Sequence, residues 1–369
     1  MRLKKITCTF LLSLLFIISL TVTAQAAVDI RQISRIRNQQ TLTDMDLLAI
    51  DRFVAQAVDN LLKSRDFAET ARVRTIISEN SKSQQKKYVQ RYLNSAYKHI
   101  SDALQKSQQF PADWGFKVKL NLLILIREMA QPKLAELATD MITDKNQAVR
   151  YWAVKAAANP ILFSTADSSA TANLLKKVVS KLQTILADSE PETIVNIAKF
   201  AAAVSSAQTE DLLLKVAQAR ISRYTQWQIK KEFPEGIILK LLYGKMTSQG
   251  PLKKQFARQF SILLSCTIQR YIKGQGYLSQ AQQNQIASVL ISVESNCLSK
   301  LFGRTQVGIK RALTSNDISA LQAEHDKLLG NAAGRGMLAD KFNFSYGKTL
   351  GSKQTAPNKL PAPPADKTK

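Results

Sequence analysis

Residues 144–156 read Asp144-Lys145-Asn146-Gln147-Ala148-Val149-Arg150-Tyr151-Trp152-Ala153-Val154-Lys155-Ala156. Val149, Ala153 and Ala156 recur at spacings of three and four, which puts them on one face of a helix. The layout has a precedent upstream. Asp113 is followed at +5, +6, +9 and +12 by Val118, Lys119, Leu122 and Leu125, and Asp144 at the same offsets by Val149, Arg150, Ala153 and Ala156. The two units begin 31 residues apart. A weaker third begins at Asp188, with Ile194, Ala198 and Ala201 displaced by one position and no basic residue. The polar stretch 164–172 accounts for its longer spacing. One such unit cannot bury its apolar face alone, so a recurring unit predicts stacked helical hairpins.

The 144–156 unit resembles the second helix of a HEAT-type repeat. The match is best over residues 132–158, fair over 111–131 and weak over 171–204. In that family the Asp caps the inner helix, the Val enters the core, and the basic residue can bond to a neighbouring repeat's Asp. The resemblance implies structural repeat positions at Asp113, Val118, Asp144, Val149, Arg150 and Ala153. It implies an all-α, right-handed α-solenoid. A compact, non-repeating helical bundle is the competing architecture.

The rest of residues 41–330 carries the same helical period. Stripes run through Leu47–Leu62, Val89–Leu104, Leu174–Leu186, Phe256–Thr267 and Ile286–Leu301. Breaks fall at Pro111, Pro132, Pro160, Pro191, Pro234, Gly250-Pro251 and Gly274-Gln275-Gly276. The chain divides into an N-terminal helical region (27–110), the HEAT-like region (111–235), a basic helical region (236–329), and a loop with a Pro/Lys-rich tail (330–369). Phe342, Phe344 and Tyr346 alternate with polar residues, the pattern of a short strand or of aromatics folding back. Lys348–Lys369 holds four of the ten prolines and five lysines, which predicts a flexible tail.

Residues 1–26 have the layout of a secretory signal: Arg2, Lys4 and Lys5, then an apolar run, then Ala24-Gln25-Ala26. Cleavage there predicts an exported protein of the periplasm or cell envelope. The full chain has a formal charge of +24, and loss of the segment leaves +21.

The composition argues against several chemistries. Two histidines, His99 and His325, have no metal-ligand spacing and read as surface or border residues, so no metal is expected. Gly347-Lys348-Thr349 lacks the preceding glycine of a phosphate-binding loop, and no cofactor is expected. The local acidic pairs (Asp44/Asp46, Glu190/Glu192, Glu324/Asp326) sit where helix caps or solvation explain them. Export permits a disulfide between Cys266 and Cys297. A hairpin turning near Gln275 separates them by roughly 18 Å, so two buried thiols are expected instead.

Charge is the informative property. Residues 236–369 hold 19 Lys/Arg against 6 Asp/Glu, or +13. Between Gly236 and Val293 lie Lys240, Lys245, Lys253, Lys254, Arg258, Arg270 and Lys273, with no acid. These seven are the candidate binding residues. In an exported protein they point to an acidic lipid, glycan or protein in the envelope rather than to nucleic acid. The expected function is a non-catalytic scaffold. The rival from another class is an exported helical hydrolase or lyase acting on an acidic polysaccharide, which requires a histidine beside carboxylates in a deep pocket.

Overall fold

The computed structural model describes residues 29–164, 169–347 and 353–365. The export segment at 1–26 lies outside them. The protein is all-α. Among the described residues the only strands are Gly330–Asn331 and Gly334–Arg335, paired antiparallel. The chain forms two compact units, Met1–Leu134 and Ala135–Lys369.

In the first unit, α1 (Ile30–Arg37) precedes the first stripe read from the sequence and buries Ile33 and Ile36. The other helices are α2 (Asp44–Lys63), α3 (Phe67–Asn80), α4 (Lys86–Lys106) and α5 (Ala112–Met129). A capping box starts α2. The Thr43 hydroxyl accepts from the Asp46 amide, and the Asp46 carboxylate accepts from the Thr43 amide. α2 packs along α4. From α4, buried Tyr88 and Tyr92 donate to the Asn80 and Ile77 carbonyls of α3.

Helix α6 (Pro132–Asp140) carries the boundary between the units. The second unit continues with α7 (Gln147–Ala157), α8 (Ser169–Ile185), α9 (Pro191–Ala203), α10 (Ala207–Thr225), α11 (Phe233–Thr247), α12 (Lys253–Lys273) and α13 (Gln280–Val293). A π-helical turn, Glu294–Leu298, leads into α14 (Ser299–Phe302). Then follow α15 (Gly308–Thr314), α16 (Ile318–Leu329) and α17 (Met337–Phe342). From α7 to α11, every helix packs on the one two places ahead. Odd-numbered helices thus adjoin one another, as do even-numbered ones. Pro132, Pro191 and Pro234 stand in the first turns of α6, α9 and α11, where a missing N–H costs nothing.

The repeat offsets are core positions. Val118, Leu122, Leu125, Val149, Ala153 and Ala156 are all buried. The acids are not equivalent. Asp113 lies within the first turn of α5, whereas Asp144 precedes α7 by three residues and accepts from the Asn146 amide. Asn146, not Asp144, caps α7. Arg150 is half-buried.

Helix α12 is buried well beyond the apolar stripe through Phe256–Thr267. Every residue from Leu263 to Tyr271 is buried. α10, α11, α13, α16 and α17 all pack on it. That enclosed stretch has no solvent face, so Arg270 within it cannot be a surface cation, while Lys254 in the first turn stays exposed.

The C-terminal tail also differs from expectation. Residues 353–365 lack regular structure but lie seated on the second unit, with Leu360 2% exposed. Side chains of α12 and of the loop after α10 capture its main-chain groups, and that outweighs a composition suited to disorder. Phe344 and Tyr346 form no strand. They fold back, buried, with ring centroids 5.1 Å apart.

Candidate functional site

Helices α9, α11 and α13 border a groove of about 1060 Å³. Its floor on α11 is Phe233, Ile237 and Leu241, spaced four apart and so on one face. A second row is Gly236, Lys240 and Gly244 on α11, continued by its C-cap Ser248. Glycine within a helix costs about 1 kcal/mol relative to alanine. No intramolecular packing requires it here. A Cβ on Gly236 would meet Val289 methyls at 3.8 Å, an ordinary contact, and one on Gly244 would meet nothing within 4 Å. Bare backbone therefore faces the groove at both positions.

Three lysines rim the groove, Lys199 from α9 and Lys240 and Lys245 from α11, and no acid lines it. Lys199 and Lys240 are exposed. Lys245 is half-buried, with Nζ 3.7 Å from Glu210. Ser288 and Ser292 add neutral hydroxyls, and the Ser248 hydroxyl donates to the Lys245 carbonyl at 2.8 Å. The site combines an apolar floor with a single sign of charge.

The seven cations singled out in the sequence do not form one patch. Lys240 and Lys245 reach the groove. Lys254 is exposed at the start of α12. Lys253 lies over the Phe342 ring, 5.9 Å from its centroid. Arg258 donates to the Tyr346 carbonyl at 2.6 Å, and its burial lowers its pKa. Lys273 donates to the Leu360 carbonyl. Arg270 is 1% exposed and pairs with Glu232 at 2.9 Å. It belongs to the core, because Glu232 neutralises it there and the Ile229 carbonyl accepts from Nη2. Lys199 was missed because it lies on α9, 41 positions before Lys240, and only the fold makes them neighbours.

A parallel pair stands beside it. Arg220 of α10 meets Glu235 at 2.5 Å and donates to the Lys231 carbonyl. Burial works against the Arg220 charge, and the Glu235 carboxylate overrides it, so the guanidinium stays protonated. Together the two arginines pin loop 226–232. A second cavity of about 660 Å³ borders this loop, where Arg223 and Lys230 are opposed by Asp188 and Glu190.

His325, expected on a polar face, is buried. Its Nε2 lies 2.8 Å from Ser265 Oγ and its Nδ1 3.0 Å from Asp326 Oδ1. The Gln269 amide donates to the same Ser265 oxygen at 2.7 Å. The order Ser-His-Asp matches a hydrolase triad, but the setting does not. Ser265 is wholly buried in mid-helix, and neither it nor His325 lines the groove or the second cavity. The network ties α12 to α16. His99 is half-buried on α4, where desolvation lowers its pKa.

Cys266 and Cys297 are free and buried, as expected. Desolvation pushes their thiols up to about 12 and about 11. Among the described residues no cluster of His, Cys, Asp and Glu could hold a metal. No described helix is long and apolar enough to cross a membrane.

No protein-family model matches the sequence. No curated protein matches it either.

Proposed function

We propose that this chain is an exported, non-catalytic binding protein of the periplasm or cell envelope, with a second unit built as a HEAT-like right-handed stack of hairpins. The packing of each helix on the one two places ahead supports the stack. The export reading rests on the sequence of residues 1–26. The groove on α9, α11 and α13 takes an acidic partner protein. One observation carries this: Lys199, Lys240 and Lys245 surround an apolar floor that no acid lines. Lys199 and Lys240 repel cations and attract carboxylates, with Lys245 partly offset by Glu210, while the floor rewards apolar burial. The bare backbone at Gly236 and Gly244 lets a partner's main chain approach closely.

The test uses immobilised poly-glutamate as an acidic probe. Replacing Lys199, Lys240 and Lys245 by Gln should weaken retention about tenfold at low salt. Replacing three exposed lysines elsewhere, Lys86, Lys87 and Lys176, should leave most of it. Equal losses in the two variants would show that net charge alone acts and would remove the groove from the reading.

A further inference from the structure

The C-terminal segment is held in the manner of a bound peptide. Four contacts reach its main chain between Asn358 and Pro361. Gln269 uses both ends of its amide: Nε2 donates to the Asn358 carbonyl at 3.3 Å, and Oε1 accepts from the Leu360 amide at 2.6 Å. Lys273 donates to the Leu360 carbonyl. The Trp227 indole donates to the Pro361 carbonyl at 3.2 Å. One side chain, Leu360, is buried as an anchor. Pro361 follows it and offers an acceptor with no N–H of its own.

Main-chain capture by side chains does not depend on the occupant's identity, whereas the buried apolar anchor at Leu360 does select. The receiving surface is rigid. Gln269 and Lys273 stand one turn apart on α12. Trp227 is braced by the Tyr277 ring, edge-on at 5.3 Å, and by the Arg270 guanidinium at 5.1 Å. Trp227 has φ 57°, a conformation that bulky residues rarely adopt and that the surroundings must hold.

We propose that Trp227, Gln269 and Lys273 form a binding site for an extended Leu-Pro peptide, and that residues 357–361 are its resident occupant, displaceable by such a segment of a partner protein. The site is separate from the basic groove and does not depend on it. The resident segment competes by tethering, which supplies an effective concentration in the millimolar range. A partner segment therefore binds weakly until the tether is unseated.

The experiment keeps the full chain. Leu360→Asp unseats the resident segment, and the probe is a fluorescein-labelled peptide of residues 355–365. The peptide should bind the L360D chain at least about tenfold more tightly than the unaltered chain. Adding Gln269→Ala to L360D should reverse that gain. Equal binding to both chains, or none to either at about 1 mM, would overturn the proposal. Hydrogen exchange on the unaltered chain covers the case in which L360D fails to fold. The Leu360 amide should exchange much faster than the amides of α12. Equal protection would mean that the segment leaves only on global unfolding, and the site would not be open to a partner.

Discussion

Arg270 and Lys254 stand on the same helix and carry the same charge, yet they have opposite roles. Lys254 is solvated, and Arg270 lies in the core against Glu232. Breaking a buried pair leaves one ion without compensation, which costs about 3–5 kcal/mol. Arg270→Met should therefore lower stability by about that amount in urea unfolding, and Arg270→Met with Glu232→Met should recover most of it. A double variant as unstable as the single one would mean that the pair does not account for the loss. His325 gives a pH signature. Burial holds its pKa below the ordinary 6.5, with Asp326 partly opposing. The unfolded chain then binds the proton more readily than the native one. Stability from this residue is full above about pH 6.5 and is lost as pH falls toward the lowered native value. In His325→Gln that part of the pH dependence should vanish from melting curves. Neither role was legible in the sequence. Glu232 is 38 positions from Arg270 and Ser265 is 60 from His325, and no local pattern links them.

At the scale of the element, α11 shows what a local pattern can convey. The row Gly236-Lys240-Gly244 has a spacing of four, so the sequence alone places two glycines and a lysine on one helical face. The lysine stands out by its charge, whereas a glycine's bare backbone matters only once a groove is known to lie beside it. Gly244→Ala should stabilise the chain by about 0.5–1 kcal/mol, since the added methyl meets nothing and alanine favours the helix. The same change should weaken capture on the acidic probe, because the methyl enters the groove. Measured together, higher stability with weaker capture supports close approach by a partner, and unchanged capture counts against it. Helix α12 is the contrary case. Its stripe through Phe256, Phe260 and Leu263 was readable, but its burial on the other faces was not. Those faces are covered by helices from distant segments, and periodicity carries no information about them.

For the whole molecule, the positive charge divides by surroundings. Some of it serves the core at Arg220 and Arg270, some fastens the C-terminal residues through Arg258 and Lys273, and some rims the groove. The core and fastening cations are not open to a partner. Capture on the acidic probe should fall steeply as ionic strength rises, because the Debye length shrinks from about 10 Å at 0.1 M to about 3 Å at 1 M. The helical class, the apolar stripes and the buried repeat offsets were determined by the sequence alone, because each follows from spacing within a few turns. Which cations are free, where His325 lies and how the proline-rich segment is seated were decided only by the tertiary structure. Those outcomes depend on partners tens of residues away, and a charge or a flexible segment has no fixed role until the fold sets the solvent, the counter-ion or the hydrogen-bond donor beside it.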